Sequence, residues 1–192
     1  MKVAYIHGFL SGSQAVKSTI LKNYLKSHYQ DITFLAPDFP DTPVEAINTL
    51  DDFVKKHNDG SLCLVGSSMG GFMSTVLSKR YNLKIALVNP CTHPQDYFKG
   101  LIGPQYNAVS DTHFELKPEM IDTLIELDSE AKLFNKENAL VYLQTGDEVL
   151  DYHKSVEFYK ECQLHIEEGG CHAFKDFDKI IDDIIAFFKH SK

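Results

Sequence analysis

Short, almost wholly apolar runs recur along this chain, and longer stretches with helical periodicity separate them. The runs fall at 3–6, 32–36, 62–65, 85–88, 140–143 and, with weaker apolar character, 164–166. A strand that is apolar at every position, rather than at alternate ones, must be covered on both faces, as in a parallel sheet. Between the runs, Val16, Ile20, Leu21, Tyr24 and Leu25 line one helical face. Near the end of the chain, Phe177, Ile180, Ile181, Ile184, Ile185 and Phe188 repeat at 3.6-residue spacing. Thr42-Pro43-Val44-Glu45 marks a helix start, with Thr at the N-cap, Pro at the first helical position and Glu at the third. The alternation predicts an α/β domain over 1–192, with a mainly parallel sheet of about six strands and helices on both faces.

One stretch breaks the rhythm. Residues 91–138 are more than one crossover helix requires, and they carry Tyr97, Phe98, Tyr106, Phe114, a Gly103-Pro104 pair and an amphipathic piece at 118–127. Excursions of this length are commonly functional, and this one is expected to be a lid-like insertion over the carboxyl ends of the strands. Those ends are where ligands bind in open α/β sheets.

The run at 62–65 stops on Gly66-Ser67-Ser68-Met69-Gly70, a G-x-S-x-G pattern centred on Ser68. Chance alone produces this pattern in roughly one chain of this length in twenty, so its position carries the weight. It stands between a buried strand and a helix, where a serine on a sharp turn is strained and its neighbours two residues away must lack side chains. Ser67 has Val65 and Met69 in those places and reads as a strand-end residue.

A serine hydroxyl needs a histidine to take its proton and a carboxylate to orient that histidine. His172, in Gly169-Gly170-Cys171-His172, follows the last strand and is the expected base. Asp147 follows the strand at 140–143 directly after Gly146 and is the expected acid. Asp151 is the alternative acid, although its place before the helical segment 152–159 suits an N-cap. The backbone N–H groups of Phe9 and Met69 are the expected oxyanion-hole donors. His7, close to Phe9, is expected to brace its loop. The order Ser, Asp, His is that of the α/β-hydrolases.

Taken together, His7-Gly8-Phe9, VGSSMGG, Asn89-Pro90, TGDEVLDY and EGGCHAF resemble the small bacterial YqiA/YcfP-type esterases, a compact branch of the α/β-hydrolases. The resemblance spans almost the whole chain. It implies a shortened hydrolase core without the N-terminal antiparallel strands, and ester hydrolysis by Ser68, His172 and an acid of the TGDEVLD loop, with no cofactor. Where Cys171 stands the family's usual motif carries another residue, and 92–138 matches less well, so no substrate preference is carried over.

The function expected is that of a cytoplasmic serine hydrolase acting on carboxylic esters. Acyl-CoA thioester hydrolysis is the first alternative, and a non-catalytic hydrolase-like binding protein the second. The partner is then a small acyl ester or thioester, and the chain is a monomer or small homo-oligomer. A net charge of −8 argues against nucleic acid as a partner. No apolar run reaches membrane-spanning length, and the start of the chain leaves no room for a signal peptide. Cys63, Cys91, Cys162 and Cys171 are widely spaced and read as reduced thiols; no histidine or cysteine spacing suggests a metal site.

Overall fold

Each apolar run becomes a strand in the computed structural model, which describes residues 1–190. In chain order the elements are β1 (Lys2–Ile6), α1 (Val16–His28), β2 (Thr33–Leu35), α2 (Pro43–His57), β3 (Leu62–Ser67), α3 (Met69–Tyr81) and β4 (Lys84–Val88). The excursion follows, with α4 (Pro94–Phe98), β5 (Gly103–Asn107), β6 (Thr112–Leu116) and α5 (Glu119–Ala131). The chain then returns through β7 (Ala139–Gln144), α6 (Tyr152–Tyr159), β8 (Gln163–Glu167) and α7 (Ile181–Lys189). Residues 191 and 192, the end of the expected domain, lie outside the described residues.

Six strands form one sheet in the order β2-β1-β3-β4-β7-β8, and every pairing is parallel. Period-two alternation divides each central strand between two cores. Ala4, Ile6, Leu64, Ile85, Leu87, Val141 and Leu143 face α2, α3 and α5. Val3, Tyr5, Val65, Ala86, Val88, Leu140 and Tyr142 face α1 and α7. Because both sets are apolar, the strands read as unbroken hydrophobic runs. The weaker run at β8 is explained by its place at the sheet edge, where Gln163, His165 and Ile166 are exposed.

The helix start at Thr42 is confirmed in position but not in its bonding. Pro43 opens α2, yet the Thr42 hydroxyl donates to the Glu45 carboxylate and makes no bond to the helix backbone. The apolar stripe near the C-terminus is buried throughout, its first turn as a 3-10 helix and the rest as α7.

The β5–β6 hairpin carries no apolar signal in the sequence. Its strands, GPQYN and THFEL, are short, half exposed and largely polar, so they lack the apolar pattern that marks the main sheet. Asn107 closes the turn by accepting the backbone N–H of Val109 at 2.9 Å and of Ser110 at 3.3 Å.

Among the described residues, no helix is long and apolar enough to cross a membrane.

Ile184 of α7 is fully buried against the sheet, whereas Ile125 on α5 is exposed. Ile184→Ala is expected to destabilise the protein by about 2–5 kcal/mol, from lost apolar burial and the cavity left behind. Ile125→Ala should cost less than about 1 kcal/mol. Urea unfolding midpoints at unchanged slope would separate the two.

Candidate active site

The carboxyl ends of β1, β3, β4, β7 and β8 all open on one side of the parallel sheet, and the sequence-predicted site residues follow four of them. Ser68 stands between β3 and α3 with φ 53° and ψ −123°, a conformation that L residues avoid. The flanking glycines make the turn possible. A Cβ at Gly70 would fall 2.1 Å from the Ile6 carbonyl oxygen, and one at Gly66 would fall 2.6 Å from the Gly70 carbonyl oxygen. No side chain fits between the first turn of α3 and the end of β1. Ser67 is the buried last residue of β3, as its flanking residues had implied.

The Ser68 Oγ lies 3.1 Å from His172 Nε2. On the far side of the ring, His172 Nδ1 is 2.8 and 3.0 Å from the two carboxylate oxygens of Asp147. The Asp147 side chain is only 2% exposed and that of His172 21%, so water has little access to the pair. Burial pushes the Asp147 carboxyl up, but the bonds from His172 and from the amides of Leu150 and Val149 outweigh it, and the net shift is downward. The carboxylate is therefore ionised at neutral pH and can only accept. His172 Nδ1 must carry the proton, which leaves Nε2 to accept from the Ser68 hydroxyl.

Asp151 is not brought to His172. Its carboxylate caps α6 by accepting the His153 N–H at 3.0 Å, and the same oxygen meets His153 Nδ1. Phe9, Met69, Ser68 and His172 line one cleft of about 250 Å³, completed by Leu10, Phe98 and Leu150 among others. Neither the Phe9 nor the Met69 backbone N–H has an acceptor among the described residues. Two larger hollows lie at the opposite, amino end of the strands, around Ser61 and Lys84, and a third, of about 450 Å³, lies between the β2–α2 loop and the hairpin.

His7 is buried, stacked on Phe39 with ring centroids 3.9 Å apart, and its Nδ1 lies 2.9 Å from the Gly8 carbonyl oxygen. Burial lowers its pKa, which keeps it neutral and suits it to bracing the loop.

Several residues hold the site whose part in it the sequence pattern does not mark. Asn89, at the end of β4, donates to the carbonyls of Cys171 at 2.9 Å and His172 at 3.3 Å, and accepts the Gln144 N–H at 2.9 Å. The side-chain oxygen of Gln144 accepts the N–H groups of Cys171 and Lys175. Glu148 accepts the N–H of His172 at 2.9 Å. Lys17, from α1, donates to the Ala173 carbonyl at 2.8 Å. The histidine loop is thus pinned from four directions. Asn89 at least offered a clue, a buried polar residue directly after an apolar run. Gln144, Glu148 and Lys17 gave none.

No group of three or more His, Cys, Asp or Glu among the described residues could hold a metal ion.

Comparison with known proteins places the chain. Residues 2–189 match the model of UPF0227, described as an uncharacterised protein family. UPF0227 proteins of Yersinia enterocolitica and Serratia proteamaculans are 21% and 22% identical to it, over 96% of this chain and 97% of theirs. The chain belongs to this family, that of the YqiA/YcfP-type proteins. Among solved structures it is similar to Est1E from Butyrivibrio proteoclasticus, with ferulic acid bound. That match has a TM-score of 0.73 and 16% identity, covering 97% of this chain and 87% of the other. Mouse alpha/beta hydrolase domain-containing protein 10 gives a TM-score of 0.73 at 14% identity, covering 96% and 89%. The fold is that of the α/β-hydrolases.

The depressed Asp147 pKa gives it a defined linkage to stability. Its stabilising contribution is complete above the unfolded carboxyl value of about 4 and fades as pH falls through the lower folded value. Asp147→Asn is therefore expected to be less stable than wild type at pH 7, with the gap closing below about pH 4. Thermal unfolding across pH checks this. A gap that widened on acidification would contradict it.

Proposed function

We propose that this UPF0227 chain is a serine hydrolase that cleaves carboxylic esters, with Ser68 as nucleophile, His172 as base and Asp147 as the orienting acid. One observation carries the reading: the continuous Ser68–His172–Asp147 hydrogen-bond line, with an ionised, shielded carboxylate at its end. The order Ser, Asp, His and the similarity in fold to Est1E support it.

In this reading His172 Nε2 takes the Ser68 proton as Oγ attacks the acyl carbon. The carbonyl oxygen becomes an oxyanion, held by the free N–H groups of Phe9 and Met69 at the start of α3, whose dipole adds to the field. Collapse breaks the bond to the alcohol oxygen, and His172 Nε2 returns the proton to that leaving group. The acyl-enzyme remains. Water then enters, loses a proton to His172 and attacks the acyl carbon; the bond to Ser68 Oγ breaks, His172 Nε2 returns the proton to that oxygen, and the acid leaves. Asp147 stays ionised and stabilises the imidazolium at both stages. No cofactor or metal is required, and the partner is a small acyl substrate.

The mainly apolar cleft, walled by Phe9, Leu10, Met69, Phe98 and Leu150, suits the hydrocarbon part of an ester. Residues 91–138 act as its cover, since α4 supplies Tyr97 and Phe98 to the wall. The same chemistry would open a thioester, and the choice rests on substrate comparison.

Ser68→Ala is expected to lower turnover of p-nitrophenyl esters by several orders of magnitude and to abolish labelling by a fluorophosphonate. Full activity and labelling in that variant would end the assignment. Asp147→Asn should lose roughly 10³- to 10⁴-fold in kcat, while Asp151→Asn stays within about threefold. Values of kcat/KM for p-nitrophenyl esters against acyl-CoAs decide between ester and thioester. For the cover, amide hydrogen exchange through Tyr97 and Phe114 should slow when an inhibitor occupies Ser68; equal exchange in both states would count against it.

A further inference from the structure

The β5–β6 hairpin and the β2–α2 loop meet the oxyanion loop at a single half-buried carboxylate, and no element of the proposed chemistry accounts for this. Asp41 Oδ1 accepts the backbone N–H of Leu10 at 2.7 Å. Its other oxygen accepts the side-chain amide of Asn107 at 2.7 Å, and that same amide donates to the Ser11 carbonyl at 3.1 Å. Asn107 is 2% exposed, so its bonds are shielded from water. Leu10 has φ 54°, a left-handed conformation that costs a branched residue and persists only when its surroundings hold it.

Packing reinforces the polar contacts. The Phe9 ring meets Phe98 of α4 and Phe114 of β6 edge-on, at centroid distances of 4.8 and 6.1 Å. At the hairpin tip, Val109 Cγ1 lies 2.9 Å from where a Cβ at Gly12 would stand. On the other side, a Cβ at Gly8 would lie 3.4 Å from Ser68 Cβ, so the loop passes directly against the nucleophile. Any slackening of residues 8–11 therefore moves the Phe9 N–H relative to Ser68.

The geometry points to Asp41 and Asn107 as a positioning pair: a latch through which the hairpin holds the strained Phe9–Leu10 backbone in the conformation that aims the Phe9 N–H into the cleft. Resting as it does on the serine-hydrolase reading for its catalytic consequence, the latch also has a consequence that is independent of turnover. It protects the Leu10 amide.

The two side chains are complementary in a way that can be exchanged. In Asp41→Asn, the new amide can keep its oxygen toward Leu10 only by pointing its NH₂ at the NH₂ of Asn107, two donors facing each other. Adding Asn107→Asp turns that contact back into a donor–acceptor pair, and the carboxylate introduced on the hairpin can still accept the Val109 and Ser110 N–H groups. At Ser11 the bond is lost and the introduced carboxylate oxygen faces a carbonyl, two acceptors, so the exchange restores the latch in part. Asp38 serves as the control. It grips the same loop further out, accepting the Ser13 N–H at 2.7 Å and the Ser13 hydroxyl at 2.8 Å.

The experiment measures ester turnover, fluorophosphonate labelling, thermal unfolding and Leu10 amide exchange in wild type, Asp41→Asn, the Asp41→Asn plus Asn107→Asp double variant, Asp38→Asn and Ser68→Ala. Asp41→Asn is expected to lower kcat by about 10- to 100-fold, as a misplaced oxyanion donor would, with KM within about threefold. Its Leu10 amide should exchange faster, and the double variant should regain part of the lost kcat, at least about threefold over the single variant. Asp38→Asn should keep kcat within about threefold. Unchanged kcat and unchanged Leu10 exchange in Asp41→Asn would overturn the latch, as would an equal kcat loss in Asp38→Asn or a double variant no better than the single. If wild type shows no Ser68-dependent turnover or labelling, the hydrolase reading falls instead. Leu10 exchange alone then decides whether Asp41 holds the loop.

Discussion

The first turn of α3 lies so close to the end of β1 that only glycine fits at position 70, and the rest of the site depends on that approach. It forces the chain at Ser68 into a left-handed turn and raises the hydroxyl at the mouth of the sheet. It also brings the start of a helix against the β1 loop, so that Met69 and Phe9 line one cleft with Ser68. A serine elsewhere on the strand would not stand where the His172 ring reaches its hydroxyl. The strain is tolerated because the Ser68 carbonyl accepts from Gly71, Phe72 and Cys91, which fixes the turn from both sides.

The histidine loop is held on a different principle. Residues 168–176 have little apolar content and several positive-φ positions, among them Gly169, Gly170, Phe174 and Asp176. Hydrophobic burial anchors this segment only at Phe174, and buried amides hold the rest. Asn89 accepts from the Gln144 backbone and donates to the loop carbonyls, while the Gln144 side chain meets the loop backbone and the Glu167 carboxylate. An unmade bond at either residue would leave a buried polar group without a partner, which favours one conformation over its neighbours. The loop after β1 is gripped in a similar way, by Asp41 and Asn107.

Much of the fold was legible because of how burial prints itself on sequence. The main strands are sandwiched between two apolar cores, so nearly all their residues must be hydrophobic and the runs stand out. The hairpin within 91–138 is half exposed and built largely from polar residues, and it left no such trace. Within the proposed site, Ser68 and His172 were legible from glycine-bearing turns after strands. Asp147 was favoured over Asp151 by its place directly after Gly146. The residues that hold them were not, since Asn89, Gln144, Asp41 and Asn107 act through partners far away in the chain, 66 residues apart in the case of Asp41 and Asn107.

Local chemistry is what the sequence by itself determined: a parallel α/β sheet, a glycine-relieved serine turn, and a histidine and two aspartates after later strands. Each follows from interactions within a few residues, namely sterics at the turn and apolar periodicity along each element. Only the tertiary structure decided which aspartate meets the histidine and which loops are locked in place. Those outcomes depend on hydrogen bonds that close between β4, β7 and the β8 loop, or between the β2 loop and the hairpin, once the sheet has set their spacing. A hydrogen bond needs a partner within about 3 Å, and no pattern along one chain records which distant residue will arrive there.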